Sequence, residues 1–385
     1  MESSFKKVAI LFFSLVVVML GFGMVIPIVP FYIAKLGAGG TYLGILIASY
    51  SVMQFIFAPI WGSISDNIGR RPVLMIGMLG NAVTILLFGL SSSLWMLIVA
   101  RALSGVLSSA TIPAAMAYIA DSTTEDERGG SMGLLGGATG MGVVIGPGIG
   151  GLLAGNSLST PFYLAAFLSI VGFLLILLFL PETSSEIDSQ RCNEDYPVIQ
   201  LKQLWNVLFT PIGFLLILTL ILNFGKSNFQ GIFGLYVLQK FNYNPEQVGT
   251  IMMVIGLIYA VSQGVFAGLI TKRWGESRLI KVSLIASSAG FVTMIFAHSY
   301  FTVLFTAGFF VLFNALLKPA ITSDISKKAN MGLGIAMGLN ESYGSLGRVI
   351  GPICAGFVFD INVNFPYIGG AIIMCLVFTI SLFKL

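Results

Sequence analysis

The chain has 385 residues, of which 56% are hydrophobic and only 9% charged, with a net charge of +4 and a mean hydropathy of +0.95. A soluble domain carries about 25% charged residues, so this composition excludes a large soluble protein and predicts a polytopic membrane protein. The three cysteines lack any CxxC or Cys/His spacing, so we expect neither a disulfide framework nor a metal site.

Twelve apolar segments are long enough to cross a bilayer, since a spanning helix needs about 20 mainly apolar residues. We therefore predict an all-α membrane protein with twelve transmembrane helices, the first of which is retained and not cleaved as a signal peptide. The predicted spans are 8–33, 43–64, 73–91, 94–120, 130–154, 161–181, 211–238, 246–270, 279–297, 301–325, 331–358 and 365–384.

The basic residues fall almost entirely on one side of these spans. With the N-terminus placed inside, fourteen Lys and Arg residues lie in inner loops and tails, whereas the outer loops hold only Lys35 and Lys240. Cytoplasmic loops are enriched in Lys and Arg, so the pattern predicts that both termini face the cytoplasm. We expect a multi-pass protein of the cell membrane.

The longest polar stretch divides the spans into two groups of six. Residues 182–203 are charged and poor in apolar side chains, which is typical of a linker. The sequence thus predicts a six-helix bundle at 1–181, a cytoplasmic linker at 182–203 and a second six-helix bundle at 204–385.

Landmarks of the first half recur in the second. Gly62 recurs as Gly268 and Pro113 recurs as Pro319, both at an offset of 206 residues. Two parallel repeats of six spans indicate two pseudo-symmetric bundles, the plan of one large transporter class that binds its substrate at the repeat interface.

Four short motifs point to a family. The stretch GSISDNIGRRP at 62–72 fits the G-x-x-x-D-x-x-G-R-R signature of the Major Facilitator Superfamily, between spans two and three. LGFGMVIPIVP at 20–30 is similar to the first-span signature of its twelve-span drug–proton antiporters, and LIVARALSG at 97–105 resembles the fourth-span signature of proton-coupled members. GVVIGPGIGG at 142–151 resembles the fifth-span signature of antiporters. The resemblance covers the whole chain.

The resemblance implies a secondary active transporter that exports small amphiphilic compounds, including drugs, in exchange for protons by alternating access. It implies a functional monomer in the lipid bilayer, with a small-molecule substrate and protons as partners, no nucleic acid and no cofactor. The alternative within the superfamily is a facilitator or importer of a sugar, peptide or other metabolite. An enzyme would need a metal-ligand cluster, a Ser/His arrangement or an acid pair, and the chain has one histidine, so we expect no catalytic residues.

The motif between spans two and three predicts a cytoplasmic gate. Its glycines would allow a tight reversal and a close approach of helices, and an acid there can interact with a helix N-terminus. The resemblance implies that Asp66, Arg70 and Asp121 form a latch, whereas a turn that only fixes orientation would need the arginines alone. In the second half Lys272 replaces Asp66 and Glu276 replaces Arg70, so the latch of this half would be weaker or its charges would pair differently. The predicted gate residues are Gly62, Asp66, Gly69, Arg70, Arg71 and Asp121.

The fifth span carries glycines at a spacing of four. Gly142, Gly146 and Gly150 line one helix face, which would let another backbone approach closely, and Pro147 would bend the helix. Ordinary packing of small residues explains this pattern equally well, and only the resemblance implies an antiporter-type motif.

Charged residues within spans are the candidates for proton coupling. These are Glu341, Arg101, Lys226 and Lys318; Glu341 is the only carboxylate predicted near the midplane, about 15 Å along its helix. We hypothesise that Glu341 carries the proton and that Lys226 or Lys318 stabilises its charged form. The alternative is a static Glu–Lys pair that only fixes helix packing.

The usual acids for cationic drugs are missing. Val18 and Thr84 stand where tetracycline exporters of the family carry acids, and Gln230 stands where some Gram-positive multidrug exporters carry one. The excess of basic residues therefore favours anionic, zwitterionic or neutral amphiphiles. Aromatic side chains could line a greasy pocket, although most of them would face lipid or pack between helices. The predicted substrate-cavity residues are Gln230, Phe229, Phe233, Tyr32 and Tyr50.

Overall fold

The computed structural model describes residues 2–155, 157–182, 205–329 and 331–384. The described chain folds into long helices, as its apolar runs predict, because a helix satisfies its own backbone hydrogen bonds where no water is present. The predicted linker at 182–203 lies outside the described residues, apart from Glu182.

Twelve long helices follow one another in the described chain, and each matches one predicted span. Eleven of them have the length and hydropathy of a membrane span, and α7, with 29 residues, stands at the predicted seventh span. The helices are α1 Glu2–Lys35, α2 Gly40–Ile68, α3 Arg70–Gly89, α4 Leu94–Ser122, α5 Glu125–Ala154, α6 Thr160–Phe179, α7 Gly213–Phe241, α8 Pro245–Trp274, α9 Glu276–Ile295, α10 Tyr300–Lys328, α11 Leu333–Ile361 and α12 Phe365–Lys384.

The stretch 62–72 is mostly helical, which corrects the prediction of a loop. Helix α2 continues through Ile68 and α3 begins at Arg70, so Gly69 alone reverses the chain, at a φ of +98° that favours glycine. Gly275 makes the same reversal between α8 and α9, at a φ of +77°. The predicted close approach of a helix at Gly62 is wrong, because no heavy atom of a neighbouring element would lie within 4 Å of a Cβ at this position.

Two helices contain an irregular turn. Residues Ser108–Ala110 form a 3₁₀ turn within α4, and residues Ser262–Phe266 form a π turn within α8. A π turn inserts one extra residue into a helix and is frequent at functional sites. The π turn therefore makes this part of α8 a candidate position for a functional site.

The described residues divide into two compact units. Unit 1 comprises the described parts of Met1–Leu36, Ser49–Asp195 and Asn244–Met253. Unit 2 comprises those of Gly37–Ala48, Tyr196–Tyr243 and Val254–Leu385. The start of α2 packs within unit 2, and the start of α8 packs within unit 1.

Within unit 1 the glycine face of α5 packs on α1, and the predicted close approach of a helix is confirmed. A Cβ on Gly142 would lie 2.6 Å from the Val16 carbonyl oxygen, and one on Gly146 would lie 2.8 Å from that of Leu20. Gly150 faces the next turn of α1 in the same way. The backbones therefore approach more closely than any larger residue would allow.

Candidate functional site

Arg70 joins two acids at one end of unit 1. Its Nε donates to Asp121 Oδ2 at 2.9 Å, while a second guanidinium nitrogen pairs with Asp66 and donates to Ser65 Oγ at 3.3 Å. A guanidinium can hold two partners at once because its donors form a planar fork. The structure thus brings the three predicted latch residues together, and their role in gating stays a prediction.

Glu182 completes this cluster, and sequence reasoning missed it by assigning the residue to the linker. Its Oε1 accepts from the backbone N–H groups of Arg70 at 3.0 Å and Arg71 at 3.2 Å, so the carboxylate caps the first turn of α3. The Arg71 side chain donates to the Leu177 carbonyl oxygen at 2.6 Å. An acid directly after the sixth span was the signal that could have found this contact.

The second half holds a charge-inverted copy of the Arg70–Asp121 pair. Glu276 pairs with Lys327 and accepts from Ser323 Oγ at 2.9 Å. Glu276 lies 206 residues after Arg70, and Lys327 lies 206 residues after Asp121. The different pairing predicted for this half is confirmed, with acid and base exchanged.

Arg101 is buried in unit 1, with only 5% of its surface exposed. Its guanidinium carbon lies 4.4 Å from the Tyr50 ring centroid and 5.3 Å from that of Phe22, which places the cation against two aromatic faces. Tyr50, a predicted substrate-cavity residue, therefore packs against a buried cation. Little of the Tyr50 side chain remains exposed to contact a substrate.

The structure also differs from the prediction for other substrate-cavity residues. Phe229 and Phe233 are fully buried in unit 2, with ring centroids 5.2 Å apart, because they pack in its aromatic core. Tyr32 is buried in unit 1, where its hydroxyl lies 2.6 Å from Ser159 Oγ. Gln230 alone of the five is partly exposed.

Unit 2 contains a polar pocket between helices α7, α10 and α11. It has room for about one water molecule, and it is far smaller than the cavity of a drug-sized ligand. We call it the polar pocket; its lining residues are Thr219, Leu222, Asn223, Lys318, Thr322, Asn340, Glu341 and Arg348.

Glu341 forms an ion pair within this pocket, and its partner corrects the prediction. Arg348 donates to Glu341 Oε1 at 2.6 Å and to Ser345 Oγ at 2.7 Å, because residues seven apart return to one face of α11. Neither Lys226 nor Lys318 forms a salt bridge with Glu341, although Lys318 lines the same pocket.

The ion pair is open on one side. The Glu341 side chain is 62% exposed and that of Arg348 is 35% exposed, although both lie within a membrane span. A charged side chain facing hydrocarbon is costly, so such residues face water-filled cavities or the bundle interior.

Lys226 belongs to a second group of unit 2, which we call the lysine–tyrosine cluster: Lys226, Tyr259, Gln263 and Lys318. Lys226 Nζ lies 4.0 Å from the Tyr259 ring centroid, and Gln263 Nε2 donates to the Tyr259 hydroxyl at 3.3 Å. Helix α10, which carries Lys318, packs against the π turn of α8 that contains Gln263. Lys318 thus belongs both to this cluster and to the polar pocket.

The chain forms apolar helices of membrane-spanning length, its two halves repeat the positions of their charged pairs, and an ion pair lies inside one span. These features are those of a multi-pass membrane transporter. The family model of the Major Facilitator Superfamily matches residues 11–225 and 215–385, which together span nearly the whole chain. The chain belongs to this superfamily.

Relatives of known name support the assignment. The chain is 31% identical over 365 residues to the quinolone resistance protein NorA of Staphylococcus aureus, covering 94% of this chain and 92% of that protein. It is 34% identical over 369 residues to multidrug resistance protein 1 of Bacillus subtilis, covering 95% and 93%. Among solved structures, the nucleoside transporter NupG shares the fold with a TM-score of 0.82 at 14% identity, covering 98% of this chain and 99% of that one.

Proposed function

We propose that the chain is a drug efflux transporter, which exports small amphiphilic compounds in exchange for protons across the cell membrane. Two relatives that align over more than nine tenths of the chain are named for resistance to quinolones and to multiple drugs. Both termini face the cytoplasm in this proposal, and the functional unit is a monomer without a cofactor or catalytic residues.

One observation carries the proton exchange: Glu341 is a carboxylate inside a span, open on one side and paired with Arg348 on the other. Arg348 donates a hydrogen bond to this carboxylate, so a proton on Glu341 would compete with Arg348 for the same oxygen atoms. The polar pocket beside the pair has room for one water molecule, which would connect Glu341 with its polar neighbours. Protonation would release Arg348, and this local change would bias the two access states of the transporter.

The test is Glu341→Gln in proteoliposomes with an imposed pH gradient. We expect gradient-driven efflux of an amphiphilic dye to fall at least about tenfold, whereas exchange of dye across the membrane without a gradient persists, because only the proton site is lost. Glu246→Gln is the matched control, since Glu246 is an exposed acid in the first turn of α8.

Efflux by Glu341→Gln at the wild-type rate and with wild-type proton movement would contradict the proposed carrier. Equal wild-type flux with and without the gradient would instead indicate a facilitator, the alternative within the superfamily.

A further inference from the structure

We propose that the lysine–tyrosine cluster of unit 2 binds the oxyanion, a carboxylate or sulfonate, of an aromatic amphiphilic substrate. This inference rests on the proposed export function and names the substrate class that the chain's own residues would recognise.

The first argument is charge. Lys226 and Lys318 lie in interior turns of α7 and α10, and within the described chain neither forms a salt bridge with a carboxylate within 4.0 Å. Glu341, which lines the polar pocket together with Lys318, is already paired with Arg348. A cation within a span is costly until it meets a counter-charge, so an anion entering this cluster would be stabilised.

The second argument is donor chemistry. The Tyr259 hydroxyl accepts a hydrogen bond from Gln263, so its own proton remains available for an oxyanion. The two ammonium groups add charge-assisted donors, which are about twice as strong as neutral ones. The cluster therefore offers three donor groups to a single acidic group, namely two charged ammonium groups and one phenol.

The third argument is access and shape. Lys318 is exposed, and Lys226, Tyr259 and Gln263 are partly exposed, so a ligand can reach all four. The π turn at Ser262–Phe266 contains Gln263 and follows Tyr259 by one helical turn. The Tyr259 ring offers an aromatic face against which the apolar part of the ligand would pack.

The shared lysine links this site to the proton carrier. An anion bound at Lys318 would lie beside the ion pair of Glu341 and Arg348, because Lys318 also lines the polar pocket.

The test uses two dyes that share an aromatic frame and differ in one group, 8-anilinonaphthalene-1-sulfonate and the uncharged N-phenyl-1-naphthylamine. Saturable binding to the purified full chain in detergent micelles is followed by fluorescence, with protein-free micelles subtracted. In Lys226→Gln/Lys318→Gln we expect the Kd of the sulfonate to rise by about tenfold or more, the scale of a lost charged hydrogen bond, and that of the uncharged dye to change less than about twofold.

Two further variants separate binding from folding. Lys226→Arg/Lys318→Arg keeps both charges, and we expect it to retain the wild-type sulfonate Kd within about threefold. Lys384→Gln removes one lysine from the exposed last turn of α12 and should leave both dyes unaffected.

An unchanged sulfonate Kd in the double glutamine variant would overturn the assignment, as would the absence of saturable sulfonate binding to the wild type. Failure of the proposed export function has a different signature, namely no gradient-driven efflux of the uncharged dye while sulfonate binding is intact.

Discussion

At the scale of the residue, the family resemblance predicted side-chain contacts that the sequence by itself does not specify. Asp66, Arg70 and Asp121 were identified because the resemblance implies that these three residues form a latch, although Arg70 and Asp121 lie 51 residues apart. The contact of Glu182 was missed because its partners are backbone N–H groups 112 and 111 residues away. A sequence pattern gives no sign of which distant backbone groups a carboxylate will meet. The burial of Tyr50 and Phe229 was not predictable either, because the same aromatic residue types and spacings occur in a hydrophobic core and in a ligand pocket.

The forked contacts of Arg70 lead to a prediction. Arg70→Lys keeps the charge but supplies one nitrogen, so it cannot hold Asp66 and Asp121 in their observed positions at once. We expect efflux in vesicles, corrected for the amount of protein, to fall by about tenfold, in line with loss of about 1.5 kcal/mol for one charged hydrogen bond. Arg71→Lys is the control, because the Arg71 side chain contacts a single carbonyl oxygen. Equal rates for the two variants would count against a latch.

At the scale of the element, the helices were predictable from hydropathy and their ends were not. Hydropathy identifies a spanning helix from an average over about five helical turns. It therefore does not detect a local feature such as the π turn in α8 or the exact end of α2 at Ile68. The first turn of α2 shows what the sequence leaves open. Asp360 at the end of α11 accepts from the backbone N–H groups of Gly40 at 2.6 Å and Thr41 at 2.8 Å. A carboxylate 320 residues away thus caps this helix.

This cap predicts the effect of Asp360→Asn. The amide keeps one acceptor oxygen and loses the charge that interacts with the helix dipole, which costs about 0.5–2 kcal/mol. We expect faster hydrogen–deuterium exchange in the peptide 37–46, which contains the first turn of α2. Asp66→Asn, at the other end of the same helix, should leave exchange in that peptide unchanged. If Asp360→Asn leaves it unchanged as well, the cap does not hold this turn.

At the scale of the whole molecule, the repeat was visible in the sequence through glycines and prolines, and the structure adds charge inversion to it. Arg70–Asp121 and Glu276–Lys327 occupy corresponding positions with their signs exchanged. The repeat offset identified Glu276 as the counterpart of Arg70, whereas only the folded chain shows that α9 and α10 bring Glu276 and Lys327 together. The two halves thus keep the geometry of one contact while its chemistry has diverged.

Exchanging the charges of Glu276 and Lys327 tests whether this pair contributes to efflux. Glu276→Lys alone places two cations together, and we expect efflux to fall by up to about fivefold, the limit for a partly exposed pair. Adding Lys327→Glu restores opposite charges and should recover most of the loss. A double variant no better than Glu276→Lys would show that the pair does not act as a unit.

Lys226 and Lys318, which form no salt bridge with an acid of the described residues, have a consequence for energy supply. For each proton exchanged, export of an uncharged compound moves one positive charge inward, whereas export of a monovalent anion is equivalent to moving two. A membrane potential contributes about 2.3 kcal/mol per charge and 100 mV, so an interior-negative voltage would drive anion export about twice as strongly. By accepting anions at Lys226 and Lys318, the transporter would stay powered by voltage in a cell whose internal and external pH have become equal.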